Sequence, residues 1–440
     1  MLSDKLGAED LGTSRPPSDL MDEESAQQRG TSEEVTMPTD SSLPNRLLSH
    51  MATSSNTTPG PPPDGGLWAW LCVLGTHLVV MNTWGVINSF GAFQSHYAQT
   101  LERHPSDISW IGSFEIFLLF FIGSFTGRLT DAGLFRPVAL VGSVLVVLGS
   151  IATSFSTQYW QIFLSQGVCV GLGNGCLFCP TIALVSTYFQ KRRSLAIGIT
   201  ACGSTTGGVL FPAILVAIAV AMLSLKPRLP PRRTGRFVEW AAFSDMEYTF
   251  YGIGAFLTFL GPFFAFFFTA AYARDVLGMS YTSSLDVLMI MSGVGIVGRI
   301  VPTYLADRIG ALTVFVPTAG AGALVLFYWI AVDTQGGFYV WAAMSGIVLG
   351  GIQAMFPSAL ASLTADPSKQ GTRIGMIFTI VSFSVLSGPP IGGALVSALG
   401  GRYLGGQVFA GCCLTLGMVF LLAAREAKWR RKGGRLWMKL

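Results

Sequence analysis

Residues 159–186 read YWQIFLSQGVCVGLGNGCLFCPTIALVS, an apolar run without Asp, Glu, Lys or Arg. An α-helix rises 1.5 Å per residue, so about 20 such residues cross the hydrocarbon core of a bilayer. Further runs of this kind lie at 67–92, 107–127, 137–156, 250–270, 284–304, 311–331, 338–362, 372–398 and 405–424. Their apolar residues do not alternate with period two, which argues against a membrane β-barrel. The expected fold class is therefore an all-α polytopic membrane protein.

Composition agrees. The 440 residues are 51% hydrophobic and only 12% charged, about half the charge of a soluble domain. Lipid covers much of such a surface. Fifty-two glycines suit helices that must approach closely without a hydrophobic drive between them. The net charge of +4 hides an acidic segment at 1–63 and a basic remainder gathered in a few loops, a membrane pattern and not a nucleic-acid patch. All seven cysteines lie inside apolar runs. Cys176 and Cys179 spell C-x-x-C without a second pair or a histidine beside them, so packing is the expected role, with no metal, cofactor or disulfide framework. Without a Walker motif, ATP-driven transport is disfavoured. No paired-acid or His-rich constellation in a polar loop suggests an enzyme.

The expected organisation is a disordered cytosolic tail at 1–63, an N-terminal helical bundle at 64–225, a cytosolic linker at 226–249, a C-terminal bundle at 250–424 and a basic cytosolic tail at 425–440. The sequon at Asn56 would go unused in the cytosol. Orientation comes from Lys191-Arg192-Arg193, from Lys226, Arg228, Arg232, Arg233 and Arg236, and from the C-terminal tail, whereas loops 156–158 and 332–337 carry no basic residue. Basic loops stay inside, which places both termini in the cytosol. The stretch 194–225 is harder: two spans and a turn need roughly 40 residues, and it has fewer. It is one span, a pair of short helices, or a place where about 20 residues are missing; the last is favoured. The expected total is 11–12 spans, with the fifth and sixth shortened.

After Pro61-Pro62-Pro63, the run Asp64-Gly65-Gly66-Leu67-Trp68-Ala69-Trp70 resembles the signature opening the first helix in the monocarboxylate porter family of the major facilitator superfamily, with Leu67 inserted before the Trp pair. Residues 188–208, YFQKRRSLAIGITACGSTTGG, resemble that family's fourth-to-fifth span segment through Lys191, Arg192 and Arg193. SGPPIGG at 387–393 resembles its eleventh helix, and YARDVLGMS at 272–280 is nearest in texture to fungal members. The resemblance implies the major facilitator fold, two six-helix bundles, and location in the plasma membrane. Gly127-Arg128-Leu129-Thr130-Asp131 followed by Arg136 is similar to the superfamily's cytoplasmic loop motif, and Leu305-Ala306-Asp307-Arg308 with Gly310 echoes it in the second half. An Asp at such a helix end pairing with Arg across the halves would latch one conformation; two ordinary solvated helix ends are the alternative.

An ionisable group at membrane depth is expensive and therefore a functional candidate. Arg299 lies in 284–304, about 12 Å deeper than Asp307. The resemblance implies that it meets a carboxylate substrate, a role suited to its planar fork; an ion pair with Glu115, or snorkelling, is the alternative. Glu115, mid-span in 107–127, is either a proton carrier or a structural acid. Asp286 is expected at the interface. His77 is read first as a satisfied buried imidazole and second as a transport residue. Asn82, Asn88, Asn174 and Gln353 either line a pathway or bond between helices. Asn88 stands where the family's proton-coupled animal members carry a lysine, and Gly295 where they carry an aspartate. Lactate or pyruvate transport with protons is therefore not implied, and a larger or less charged organic substrate is. Gly388-Pro389-Pro390 and the segment from Gly203 to Pro212 are candidate hinges that interrupt helical hydrogen bonding.

The function expected is secondary active transport by alternating access, moving a small organic acid or amphipathic metabolite across the bilayer, with protons as the candidate coupling ion. The alternative is a non-transporting membrane sensor or scaffold, or a truncated inactive transporter paralogue.

Overall fold

The computed structural model describes residues 62–101, 103, 105–209, 224–225, 227, 238–364, 366 and 369–431. Most of the acidic tail with its Asn56 sequon, the stretch 210–223, the basic linker residues Arg228 to Arg236 and residues 432–440 lie outside the described residues. Among the described residues, ten helices are long and apolar enough to cross a membrane, and they fall on the ten apolar runs. Hydrocarbon offers no partner to backbone N–H and C=O groups, so each crossing segment must satisfy its own, and helices do.

In chain order the helices are α1 (Leu67–Asn88), α2 (Phe90–Thr100), α3 (Pro105–Phe121), α4 (Gly123–Asp131), α5 (Phe135–Ser154), α6 (Tyr159–Ile162), α7 (Gly171–Tyr188), α8 (Arg193–Ala201) and α9 (Gly203–Val209). After the linker come α10 (Met246–Leu260), α11 (Pro262–Asp275), α12 (Tyr281–Ile309), α13 (Ala311–Tyr328), α14 (Gln335–Leu363), α15 (Gln370–Ala398) and α16 (Leu404–Arg431). The first rod reaches beyond the expected 67–92: it breaks at Ser89 and continues as α2. A π-helical turn, Phe163–Val170, joins α6 to α7, a form that often marks function. Helices α8 and α9 open the ambiguous 194–225 stretch.

α15 runs through Pro389 and Pro390 to Ala398, although neither proline has an N–H to donate to the preceding turn. Packing dictates the adjacent glycine: a Cβ on Gly388 would strike the Leu260 carbonyl.

Helices before the linker meet helices after it along three seams: α3 and α4 against α15, α8 and α9 against α12, and α2 against α11. Between these seams lies a phenylalanine-rich core.

A candidate substrate cavity between the two halves

The seams close around one central cavity of about 20 Å³, room for about one water molecule. Its walls come from both halves. Trp84, Phe120 and Phe178 face Phe259 and Phe356, and Arg299, Gln353 and Ser204 supply polar groups. The Trp84 and Phe178 rings meet edge to face at 5.4 Å, and Phe356 stacks on Phe378 at 5.1 Å. These aromatics escaped the sequence reading, since Phe and Trp in an apolar span look like ordinary packing.

Arg299 is 2% exposed. Its Nη2 donates to Gln353 Oε1 at 2.6 Å. Its guanidinium fits only because Gly295 and Gly350 flank it: a Cβ at either would lie 2.5 or 2.7 Å from Nη1. Among the described residues no carboxylate forms an ion pair with Arg299. The pair with Glu115, left open by the sequence, is not formed. Arg299 Nε, Gln353 Nε2 and Trp84 Nε1 are buried without a hydrogen-bond partner. Every unpartnered polar atom in this wall is thus a donor.

The other candidates do not converge on this cavity. Glu115, fully buried on α3, accepts from Asn174 Nδ2 at 3.1 Å. His77 bridges helices: Nδ1 meets the Ile199 carbonyl at 2.9 Å and Nε2 the Thr206 hydroxyl at 3.2 Å. Asn88 lines a separate cavity of about 350 Å³ with Ser89, Thr282, Asp286 and Ser292. Asn82 bonds within its own helix, to Leu78 O. Of the candidate span amides, Gln353 lines the central cavity.

At one end of the molecule two aspartates join the halves. Asp131 Oδ2 accepts from the Thr372 N–H at 3.0 Å and the Thr372 hydroxyl at 2.9 Å, at the start of α15. Asp307 accepts from the Ser194 and Leu195 N–H groups at 2.9 and 2.8 Å, at the start of α8. Each carboxylate therefore meets the free N–H groups and positive dipole end of a helix in the other half. Arg193 adds electrostatic attraction for Asp307, and its Nη1 donates to Ala361 O at 3.0 Å. Gly127 permits the close crossing, since a Cβ there would lie 2.6 Å from Gly371 O. Arg136 is exposed, and Arg308 stacks on the Tyr304 ring at 4.6 Å. Both aspartates of the repeated motif thus cap helix N-termini of the other half.

The two quoted signatures also touch. Asp64, at φ 51° beside Gly66 at φ 88°, accepts from the N–H groups of Gln190 and Lys191 at 2.5 and 2.7 Å. Trp70 packs edge on to Phe189 at 5.4 Å. Gly65, Trp68 and Arg192 complete these motifs in sequence; Trp68 is 54% exposed, as suits an aromatic at a membrane interface.

At the opposite end, Phe90 packs on Phe267 at 4.8 Å, and Arg274 Nη2 donates to Ser95 Oγ at 3.2 Å. Contacts between the halves therefore lie on both sides of the cavity. Apolar helices in two sets around a shared, donor-lined cavity define a polytopic membrane transporter.

Comparison with known proteins places it further. The sequence profile of the Major Facilitator Superfamily matches residues 73–226. An MFS-type transporter of Gibberella zeae is 45% identical, the alignment covering 93% of this chain and 99% of that protein. The aspyridones efflux protein apdF of Emericella nidulans is 33% identical over 85% of this chain and 81% of its own length. The agnestins efflux protein AgnL12 of Paecilomyces divaricatus is 34% identical, over 84% and 91%. Among solved structures, the human organic anion transporter MFSD10 (TETRAN) matches with a TM-score of 0.62 at 14% identity, over 80% of this chain and 98% of that one. The E. coli fucose:proton symporter FucP matches with 0.60 at 15%, over 81% and 98%; at these identities the likeness is one of fold. The chain belongs to the major facilitator superfamily.

Proposed function

We propose that the chain is a secondary transporter that carries an amphipathic organic acid by alternating access. The acid group is held by Arg299 and the apolar body lies against Trp84, Phe120, Phe178, Phe259 and Phe356. The observation carrying this reading is the imbalance of the cavity among the described residues: a buried cation without a counter-ion, and unpartnered donors without an unpartnered acceptor. A buried charge left unneutralised costs several kcal/mol, and a substrate carboxylate supplies both the charge and the lone pairs. The small cavity belongs to a closed arrangement. Tilting of the halves enlarges it, with Asp131 and Asp307 as the inner latch.

Several lines support the finer assignment. The joined signatures around Asp64 and Lys191 favour the monocarboxylate porter branch. Relatives named as efflux proteins favour outward movement of a fungal metabolite. Basic clusters favour cytosolic termini, and the family resemblance favours the plasma membrane. The alignment with the G. zeae relative runs over 438 positions but uses 93% of this chain's 440 residues. The relative thus has residues with no counterpart here.

The test is uptake of radiolabelled naphthoate, an aryl carboxylate, into proteoliposomes of the full chain. Saturable uptake should fall at least about tenfold in Arg299→Ala and less in Arg299→Lys. Uptake indifferent to Arg299→Ala, or equally inhibited by the uncharged naphthamide, would overturn the proposal.

A further inference from the structure

The cavity that Asn88 lines lies between the two halves, at the end of the molecule opposite the Asp131 and Asp307 caps. Asn88, Ser89 and Phe93 of the first rod face Asp286, Leu288 and Ser292 of α12. Its volume of about 350 Å³ is that of a small-ligand site and far exceeds the room one water needs. Two polar groups in its wall lack partners. Asn88 is 3% exposed, and its Oδ1 is buried without a hydrogen bond. Among the described residues no Lys or Arg pairs with Asp286. Arg274, near the end of α11, lies over the Tyr281 ring at 5.8 Å and donates to Ser95 Oγ at 3.2 Å, so it does not neutralise that carboxylate. Ser89 Oγ donates to Gly85 O at 2.9 Å, and towards a ligand it can only accept. The lining is thus weighted towards acceptors and carries one negative charge, the reverse of the donor-lined substrate cavity.

We propose that this cavity is a second ligand site, one that takes an amphipathic organic amine in its ammonium form. The ammonium N–H groups bond Asp286 and the Asn88 and Ser89 oxygens, and the charged bond to Asp286 is the strongest of them. The apolar body lies against Leu288 and Phe93, whose ring face also attracts a cation. A bare metal ion would leave most of the volume unfilled, and Asp286 repels a carboxylate. The site is distinct from the substrate cavity. Asp286 and Arg299 stand 13 residues apart on α12, about 20 Å along its axis, beyond the span of one small zwitterion. The two cavities are nevertheless linked. Asn88 follows Trp84, a wall residue of the substrate cavity, by one turn of α1, and a ligand here touches both halves. Tilting of the halves draws Asn88 and Ser89 away from Asp286. The ammonium therefore binds the closed arrangement better and shifts the population towards it. Occupancy slows transport without competing for Arg299. That second effect rests on the transport reading above; the binding itself does not.

Titration calorimetry of naphthylmethylammonium into the detergent-solubilised full chain tests the site. The probe should bind saturably, and its Kd should rise at least about tenfold in Asp286→Asn. Asp286→Glu, which restores the charge, should keep most of the binding, and Arg299→Ala should leave it unchanged. Naphthylmethanol, the same ring system without the charge, should bind at least about tenfold more weakly. No saturable binding, an equal Kd in Asp286→Asn, or equal binding of the alcohol would overturn the proposal. Uptake into proteoliposomes reads the consequence for transport. The probe should lower the maximal rate of naphthoate uptake with KM unchanged, and should do so less in Asp286→Asn. A raised KM at an unchanged maximal rate would mean competition at Arg299 and would overturn the separate site. Calorimetry needs no transported substrate, so it reads the site even where naphthoate is not carried.

Discussion

Asp307, at the end of α12, accepts from the backbone N–H of Ser194 at 2.9 Å, across 113 positions of sequence. Asp131 makes the equivalent contact with Thr372 across 241 positions. In both, a carboxylate of one half caps a helix of the other. A lost cap costs about 1–2 kcal/mol, and sites that share no partner add. Asp131→Ala combined with Asp307→Ala is therefore expected to favour opening at this end by about 2–4 kcal/mol. Spin labels at Lys191→Cys and Ile309→Cys should report a longer, broader distance distribution; an unchanged distribution would contradict the latch.

Gly350 makes room for Arg299. Gly350→Ala sets a Cβ 2.7 Å from Arg299 Nη1 and 2.9 Å from Gly295 O. Overpacking of this kind costs about 1–3 kcal/mol. Naphthoate uptake is expected to fall through a higher KM, because the guanidinium is displaced from the cavity. A lower melting temperature without any change in KM would argue against the placement of Arg299.

His77 ties α1 to α8 and α9 and does not line the central cavity. His77→Ala is expected to lower stability by about 1 kcal/mol, the scale of an interhelical hydrogen bond in a membrane. Its KM for naphthoate should match that of the native chain. Thermal unfolding in detergent and uptake kinetics separate the two effects.

Glu239, in the segment before α10, bonds Lys369 at 2.6 Å and Arg373 at 3.2 Å. Partial burial pushes its carboxyl up, but the hydrogen bonds and charges of Lys369 and Arg373 outweigh this and hold it below the ordinary 4.5. A lowered folded-state value means that the stabilisation is present above pH 4.5 and is lost as pH falls through the lowered value. The melting-temperature gap between the native chain and Glu239→Gln should therefore be constant near neutrality and shrink below pH 4.5. A gap that instead widened in acid would refute the sign.

The crossing helices were legible because membrane insertion is a local property: a run such as 159–186 carries its own transfer free energy and satisfies its own backbone. Arg299 and Glu115 stood out for the same reason, as isolated charges in apolar runs. Asp131 and Asp307 were legible as a repeated motif, but their partners were not, since backbone N–H groups leave no mark in sequence. The Pro389-Pro390 pair marked two missing N–H donors, but not that α15 continues through both, which packing against α10 supports.

Sequence by itself determined that this chain lives in a bilayer, which runs cross it, and that an arginine and a glutamate are buried there. Tertiary structure alone decided that Arg299 faces Gln353 and not Glu115, that aromatics from both halves meet around it, and that Asn88 and Asp286 line one cavity. The physical reason is range. Hydropathy sums over neighbours along the chain, whereas pairing of buried groups depends on which faces of distant helices pack together.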